Sequence, residues 1–203
     1  MKEKIILIGG GGHCKSCIDV IEQTETFQID GIVDLPEKLH QKILGYEIIA
    51  TDYDLPRLAD EYENFIITLG QIKSPEGRIM IFRTLKNLGI KLPVIMSPLA
   101  HVSKHASIEE GTIVMHHALV NAGVRIGRNC IINSKALIEH DAIIGDHCHI
   151  ATGAIINGGD KVGSGTFFGS NAVCKEYIEI CENAVIGCGT KIIKNISTTD
   201  NNK

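Results

Sequence analysis

The sequence predicts an α/β domain followed by a parallel β-helix. Strand, glycine-turn and helix patterns alternate over residues 1–97, and beyond them an apolar residue recurs at every sixth position. Composition agrees, because 21 glycines, no tryptophan and 4% aromatic residues are unusual for a core packed around large rings. Both features point away from a single conventional globular core.

The six-residue period is the strongest signal in the chain. Neither a helical period nor strand alternation produces it, whereas a short strand followed by a sharp turn does. Three such hexads close a triangular coil of eighteen residues, and positions one coil apart stack at about 4.8 Å. The pattern predicts the hexapeptide repeat of a left-handed parallel β-helix, with about five coils. The apolar positions, without insertion, are Val102, Ile108, Val114, Val120, Ile126, Ile132, Ile138, Ile144, Ile150, Ile156, Val162, Phe168, Cys174, Ile180, Ile186 and Ile192.

The residue four positions after each apolar one is mostly small, and we expect it to lie near a corner inside the coil. Cys130 and Cys148 are 18 residues apart in this series, so they should stack as small hydrophobic side chains. Asp160 occupies the same kind of position. Seven cysteines without a signal-like segment indicate reduced thiols in the cytoplasm.

The first part of the chain predicts a Rossmann-like half domain with a parallel sheet. A strand (IILI), a glycine turn (GGGGH) and a helix (CKSCIDVIEQ) come first, and a second strand, FQIDGIVD, ends at Asp34. A third strand (ENFIITLG), a helix (GRIMIFRTLKNLG) and a strand (KLPVIMS) lead into the repeat. The predicted units are 1–97, 98–195 and a polar tail, 196–203.

The glycine turn is a candidate phosphate-binding loop. The dinucleotide motif G-x-G-x-x-G is incomplete, because Cys14 or Lys15 stands at its third glycine, and the domain has the size of one nucleotide-binding half. A mononucleotide or nucleotide-sugar therefore fits better, with Asp34 placed for ribose hydroxyls. A tight turn without a ligand is the alternative, and a redox pair at Cys14 and Cys17 is not favoured.

The segment Ile138-Glu139-His140-Asp141 is the main candidate for catalytic residues. His140 falls at a corner with its side chain outward, and the flanking carboxylates could fix its tautomer and raise its basicity. Gly158 lies 18 residues later and offers a backbone N–H one coil above, which suits acyl transfer. A solvated corner histidine is the simpler alternative.

His149 lies on another side of the prism from His140. The two could meet only if a neighbouring subunit contributes one of them, as in a threefold trimer of prisms. A shared zinc site, as in the gamma-class carbonic anhydrases, is not expected because the H-x-x-x-x-H spacing is absent. Net charge of −4 without a basic cluster excludes nucleic acid as an expected partner, and apolar runs near the start are too short for a membrane span.

These residues resemble the NeuD/PglD-type sugar acetyltransferases of bacterial glycan and nonulosonic-acid pathways, over nearly the whole chain. The resemblance rests on ILIGGGGHCKSCIDVI, the strand end IVD, FIITLGQ with the later Gly77-Arg78, INSKALIEHDAIIGDHCHIATGA and the uninterrupted hexads. The pair Glu139-His140 followed by His149 is its most specific part.

The resemblance implies roles for particular residues. His140 would be the general base, with Asp141 and Glu139 beside it in the catalytic motif. The acceptor would be bound by the nucleotide-side residues and Asn133, and the co-substrate acetyl-CoA by residues between trimer neighbours, where His149 lies near the acetyl group and Gly158 at the thioester oxygen. The implied substrate contacts are Gly10, Gly11, Gly12, His13, Asp34, Gly70, Arg78 and Asn133, and the acetyl-CoA contacts are His149, Gly158 and Gly169.

The expected function is acetyl-CoA-dependent N-acetylation of the amino group of a UDP-linked amino-deoxy sugar by a cytoplasmic homotrimer. Neither metal, membrane nor nucleic acid is expected to take part. O-acetylation of a sialic-acid-like sugar and a non-catalytic nucleotide-sugar-binding protein remain as alternatives.

Overall fold

The computed structural model describes residues 2–197. The N-terminal part consists of five strands and three α-helices, with short 3₁₀ helices at Pro36–Lys38 and Asp52–Asp54. Its elements are β1 (Glu3–Ile8), α1 (Gly12–Thr24), β2 (Phe27–Val33), β3 (Lys42–Ile43), β4 (Tyr46–Ala50), α2 (Leu55–Glu61), β5 (Asn64–Ile67) and α3 (Glu76–Asn87).

The strands form one sheet in the order β3-β4-β2-β1-β5, in which all neighbours are parallel except the hairpin β3-β4. The predicted strand–turn–helix at the start, the second strand and the β5–α3 pair are therefore confirmed. The hairpin and α2 were not predicted, since their segments are too short to display a clear period. The hairpin extends the sheet beyond β2, and α2 packs on one side of the sheet.

The rest of the chain is a parallel β-helix of two-residue strands. Three faces are built from every third strand, and each strand pairs with the one 18 residues away, as in Leu119 with Leu137 and Ile131 with His149. This is the left-handed parallel β-helix that the hexads predict. Its strands are β6 (Ile95–Met96), β7 (His101–Val102), β8 (Ser107–Ile108), β9 (Ile113–Val114), β10 (Leu119–Val120), β11 (Arg125–Ile126), β12 (Ile131–Ile132), β13 (Leu137–Ile138), β14 (Ile143–Ile144), β15 (His149–Ile150), β16 (Ile155–Ile156), β17 (Lys161–Val162), β18 (Phe167–Phe168), β19 (Val173–Cys174), β20 (Glu179–Ile180), β21 (Val185–Ile186) and β22 (Lys191–Ile192).

We name the three faces by their strands. Face one holds β7, β10, β13, β16, β19 and β22; face two holds β8, β11, β14, β17 and β20; face three holds β6, β9, β12, β15, β18 and β21. Of the predicted strand KLPVIMS, only Ile95–Met96 is extended in a ladder, and it pairs with β9 of the β-helix. Pro93 has no N–H to donate to a sheet, which accounts for the late start.

Helix α1 is packed between the N-terminal sheet and face three of the β-helix. Its buried residues Cys14, Cys17, Ile18 and Ile21 belong to the same apolar cluster as the outward residues of β9 and β12. Helices α2 and α3 cover the opposite side of the sheet. The glycine turn that precedes α1 is thereby held next to face three.

Burial explains four of the seven cysteines. Cys130 and Cys148 are fully buried, and the Cys148 N–H points at the Cys130 sulfur at 3.4 Å, so the predicted stack is confirmed. Cys14 and Cys17 are also fully buried, and burial raises the pKa of Cys14 to about 11 and that of Cys17 further. A thiol with a raised pKa is a poor nucleophile, so a packing role fits this pair.

Most of the predicted polar tail lies outside the described residues, and Ile196 pairs with Ile180 at its start. Between residues 2 and 197, no helix combines the length and apolar character needed to cross a membrane.

Candidate active site

His140 stands at the corner between faces one and two, in the turn from β13 to β14. Its ring is exposed, and Nδ1 lies 2.9 Å from Oδ2 of Asp141. Asp141 adopts a left-handed backbone (φ 62°), which lets the turn close while its carboxylate folds back to the ring. With Nδ1–H donated to Asp141, Nε2 carries the lone pair and can accept a proton.

Gly158 lies directly above this ring, in the next coil. A Cβ atom added to Gly158 would stand only 2.8 Å from both Cε1 and Nε2 of His140. Any side chain at this position would therefore displace the imidazole. Because Gly158 has no side chain, its backbone can lie next to Nε2. The Gly158 N–H could there face a reacting carbonyl oxygen.

Glu139, the other flanking carboxylate, points away from the imidazole. Its Oε2 accepts a hydrogen bond of 2.7 Å from Asn121 Nδ2, one coil below, and a long one of 3.4 Å from the His140 N–H. This arrangement favours a role in fixing the turn backbone. Asp141 is therefore the neighbour that orients the ring.

The glycine turn leads into α1 without a side-chain cap on the helix. Neither Gly11 nor Gly12 has a positive φ, and a Cβ at either position would meet no atom within 4 Å. Packing within the chain therefore gives no reason for these two glycines. Close approach of a ligand to the N–H groups of a helix N-terminus does give one.

Asp34 closes the side of this turn. Its Oδ2 accepts hydrogen bonds from the Gly10 N–H at 3.0 Å and from Lys38 Nζ at 2.9 Å, and Oδ1 accepts one from the Leu35 N–H at 2.8 Å. Burial would raise the pKa of Asp34, but these hydrogen bonds outweigh it and the pKa is lowered. The carboxylate is thus ionised at neutral pH beside the loop.

His149 and Asn133 form a pair on face three. His149 Nδ1 lies 2.6 Å from the backbone oxygen of Gln71, so this nitrogen carries the proton and Nε2 accepts from Asn133 Nδ2 at 3.1 Å. Burial lowers the pKa of His149 to about 4, which leaves the ring neutral. The edge of its ring also meets Phe167, with the centroids 5.2 Å apart.

His13 joins this pair from the first turn of α1. Its ring centroid is 6.3 Å from that of His149, and Gly70 packs beside its Cβ. Burial, followed by the nearby Arg78, lowers the pKa of His13 to about 3. Nε2 of His13 is buried without a hydrogen-bond partner among the described residues, so the site holds an unused polar atom next to the glycine turn.

Arg78 is turned into the protein. It is 2% exposed, and its guanidinium donates to the backbone oxygens of Ile67 and Leu69 and to both oxygens of Asn129, at 2.6–3.1 Å. These contacts join the end of β5 to a corner of the β-helix. The geometry favours a role in docking the two parts of the chain over contact with substrate.

Gly169 has a role in packing between coils. Its N–H donates to the Ile186 oxygen at 3.0 Å, and an added Cβ would lie 2.6 Å from that same oxygen. The glycine thus allows two coils to approach, and its N–H is used within the ladder.

The residues fall into two groups on one chain. His140, Asp141 and Gly158 lie at the corner between faces one and two, whereas His149, Asn133, His13 and the glycine turn lie at face three, across the prism. Three residues near these groups were not predicted as site residues: Gln71, which contacts His149 through its backbone oxygen, Phe167 and Asn121. Only Gln71 lay inside a quoted motif, FIITLGQ, which could have drawn attention to it. Over residues 2–197, no three His, Cys, Asp or Glu side chains are grouped as metal ligands would be.

Comparison with known families and structures agrees with this architecture. Residues 4–80 match the PglD N-terminal domain, and residues 105–140 match the bacterial transferase hexapeptide (six repeats). Curated protein sequences gave no match.

Solved structures of two proteins resemble nearly the whole chain. One is PerB from Caulobacter crescentus in complex with CoA and GDP-perosamine, with 26% identity, a TM-score of 0.88, and coverage of 95% of this chain and 90% of that one. The other is the acetyltransferase domain of PglB from Neisseria gonorrhoeae FA1090, with 26% identity, a TM-score of 0.90, and coverage of 97% and 94%. The same domain in complex with acetyl coenzyme A is 28% identical, with a TM-score of 0.88 and coverage of 97% and 93%.

Fold and site together define an acyltransferase of the hexapeptide-repeat class. Within that class, the two family matches and the structural likeness support the NeuD/PglD-type family of sugar acetyltransferases.

Proposed function

We propose that this protein transfers the acetyl group of acetyl-CoA to the amino group of a nucleotide-linked amino-deoxy sugar, with UDP as the nucleotide. One observation carries the proposal: the His140–Asp141 pair lies exposed at a corner, with the Gly158 backbone against its Nε2. A base and an amide donor one coil apart are the two groups that amide formation needs.

In the proposed mechanism, acetyl-CoA supplies the acyl group as a thioester. His140 Nε2 takes a proton from the attacking amine, and Asp141 stabilises the imidazolium through Nδ1–H. The Gly158 N–H donates to the carbonyl oxygen as it gains negative charge. An unprotonated amine is nucleophilic enough to react directly, so no acyl-enzyme is required. As the C–N bond forms, the C–S bond of the thioester would break, and CoA would leave as a thiolate that takes up the proton held by His140.

The nucleotide is assigned to the glycine turn. Gly11 and Gly12 leave the start of α1 open, and Asp34 offers an ionised carboxylate beside it for ribose hydroxyls. PerB was crystallised with a GDP-linked sugar. The choice between UDP and GDP is therefore tested directly below.

A homotrimer would join the two groups of site residues. In such a trimer, His140 of one subunit would face the His149 and His13 of its neighbour. Face one supports this assembly, because its outward residues form a half-buried apolar row, Leu119, Leu137, Ile155 and Val173. Face two instead carries Arg125, Lys161 and Glu179 at the equivalent outward positions, which suits water.

Nucleotide binding should be visible as thermal protection. We expect UDP or a UDP-sugar to raise Tm by binding the native state, and NAD to have no effect. The measurement is a thermal melt with each ligand at equal concentration, with GDP as a further comparison. Protection by GDP but not UDP would support the nucleotide site with guanine in place of uracil. Equal protection by NAD would contradict the assignment of a mononucleotide site.

A substitution in the glycine turn tests whether the nucleotide binds there. Gly12→Ala should leave the Tm of the free protein unchanged or slightly raised, since alanine favours helices, but should remove the protection. Gly77→Ala, at an equally open position in the first turn of α3, is the matched control and should keep it.

The trimer makes a separate prediction. Ile155→Glu places a charge in the apolar row of face one, so we expect light scattering to show loss of the trimer and activity to fall with it. Ile143→Glu, at an outward position of face two, should leave both unchanged. An Ile155→Glu protein that is monomeric and fully active would refute the shared site.

A further inference from the structure

Asp160 is a carboxylate inside the β-helix, at a position where most hexads carry a small residue. It is 0% exposed. Oδ2 accepts hydrogen bonds from the Asn157 N–H at 2.8 Å and from the Cys174 thiol at 2.8 Å, and Oδ1 accepts one from the Ile178 N–H at 2.7 Å. All three partners donate, so both oxygens act as acceptors. A buried carboxylate is tolerated only with such partners, and a small apolar residue would have filled the space at lower cost.

The two backbone donors belong to two stacked turns. Asn157 opens the turn that contains Gly158, and Ile178 directly follows the turn of the next coil, which ends at Tyr177. Tyr177 has a left-handed backbone (φ 59°), an unusual conformation for a bulky residue, and its N–H donates to the Gly158 oxygen at 3.1 Å. Asp160 therefore holds both turns from within the prism.

These turns set the environment of His140. The Gly159 N–H donates to the His140 oxygen at 3.0 Å, while Gly158 lies against the imidazole. A shift of the Gly158 turn would alter the distance between its N–H and the base. Misplacement by about 1 Å can lower a rate about 10²-fold, so the turn must be fixed.

We infer that Asp160 is a positioning residue that holds the Gly158 amide in register with His140 by anchoring the turns on either side of it. The inference rests on the proposed acetyl transfer. Asp160 touches neither substrate nor acetyl-CoA, and acts only through the backbone.

The test compares Asp160→Asn and Asp160→Val with Thr166→Val in steady-state kinetics. Thr166 is equally buried one hexad later, and its hydroxyl donates to the Cys181 oxygen at 3.1 Å at a different corner. We expect Asp160→Val to lower kcat about 10- to 100-fold with KM for acetyl-CoA little changed, because the amide acts on the transition state. Asp160→Asn keeps one acceptor oxygen and should retain an intermediate rate, and Thr166→Val should lower Tm but not kcat.

Hydrogen exchange supplies a readout that does not depend on activity. Peptides covering residues 157–159 and 175–178 should exchange faster in Asp160→Asn than in Thr166→Val. If Asp160→Val fails to fold, Asp160→Asn decides the outcome. Equal kcat values and equal exchange in Asp160→Asn and Thr166→Val would overturn the inference. A wild-type protein that acetylates no nucleotide-linked amino sugar would refute the proposed function alone, and the exchange comparison would still decide the role of Asp160.

Discussion

Replacing His140 with alanine is expected to lower kcat about 10²- to 10⁴-fold, the usual contribution of a positioned general base. KM for acetyl-CoA should barely change, because the imidazole acts on the proton of the acceptor. The side chain is exposed at a corner and contacts Asp141, so the free energy of unfolding should change by no more than about 0.5 kcal/mol. Steady-state kinetics and a thermal melt of the same preparation test both statements.

The pH dependence of this variant separates the possible acceptors. An amino sugar loses its proton to solvent as pH rises, so the rate deficit of His140→Ala should shrink at high pH. A deficit that persists would favour a hydroxyl acceptor, whose proton stays in place throughout the accessible range.

His105→Ala is the matched control for His140→Ala. His105 is exposed at the same corner of the prism, two coils below the Asp141 position, and should be replaceable without loss of rate. An unchanged rate in folded His140→Ala would remove the residue from the mechanism, and a loss that follows unfolding would make its role structural.

Mixing two inactive variants should restore activity if the site is shared between subunits. His140→Ala lacks the base and His149→Ala lacks the partner at face three, so each homotrimer should be strongly impaired. In a trimer that contains both variants, one of the three sites would pair an intact His140 with an intact His149, so the doubly tagged fraction should recover about a third of the wild-type rate. Co-expression with two affinity tags, followed by kinetics on the doubly tagged fraction, measures this recovery.

Two controls complete the mixing experiment. His149 is buried, so the melting temperature of His149→Ala is measured first, and Asn133→Ala replaces it as the second parent if the protein is destabilised. Mixing His140→Ala with Asp141→Ala, which lie in the same turn, should restore nothing. Recovery in that control, or none in the main experiment, would contradict a site formed between neighbours.

The hexads were sufficient to predict the β-helix and the stacking within it. Because the period is 18 residues per coil, the sequence alone placed Gly158 above His140 and Cys148 above Cys130, and the structure has both contacts. The short elements between β2 and β5 were missed because hairpins and short helices are decided by packing more than by local pattern.

Side-chain direction was much less predictable. Arg78 was expected at the substrate, yet its guanidinium is enclosed by carbonyl oxygens from both parts of the chain. Glu139 was expected at the imidazole, yet it contacts Asn121 in the coil below. Each outcome depends on a partner distant in sequence or on a choice of rotamer, and neither leaves a local signature.

What the sequence by itself determined is the repeat, and therefore which residues stack on each other from coil to coil, since a fixed period allows one register only. Tertiary structure alone decided the contacts of the β-helix with the N-terminal part and the hydrogen bonds inside the prism. Docking of the N-terminal part on face three buried His149, which keeps its ring neutral, and the Gln71 backbone oxygen fixed its tautomer. In the same way, three donors converge on Asp160 only once the coils have stacked. The physical reason is that burial and hydrogen-bond partners belong to the folded chain, whereas periodicity is already present in the unfolded one.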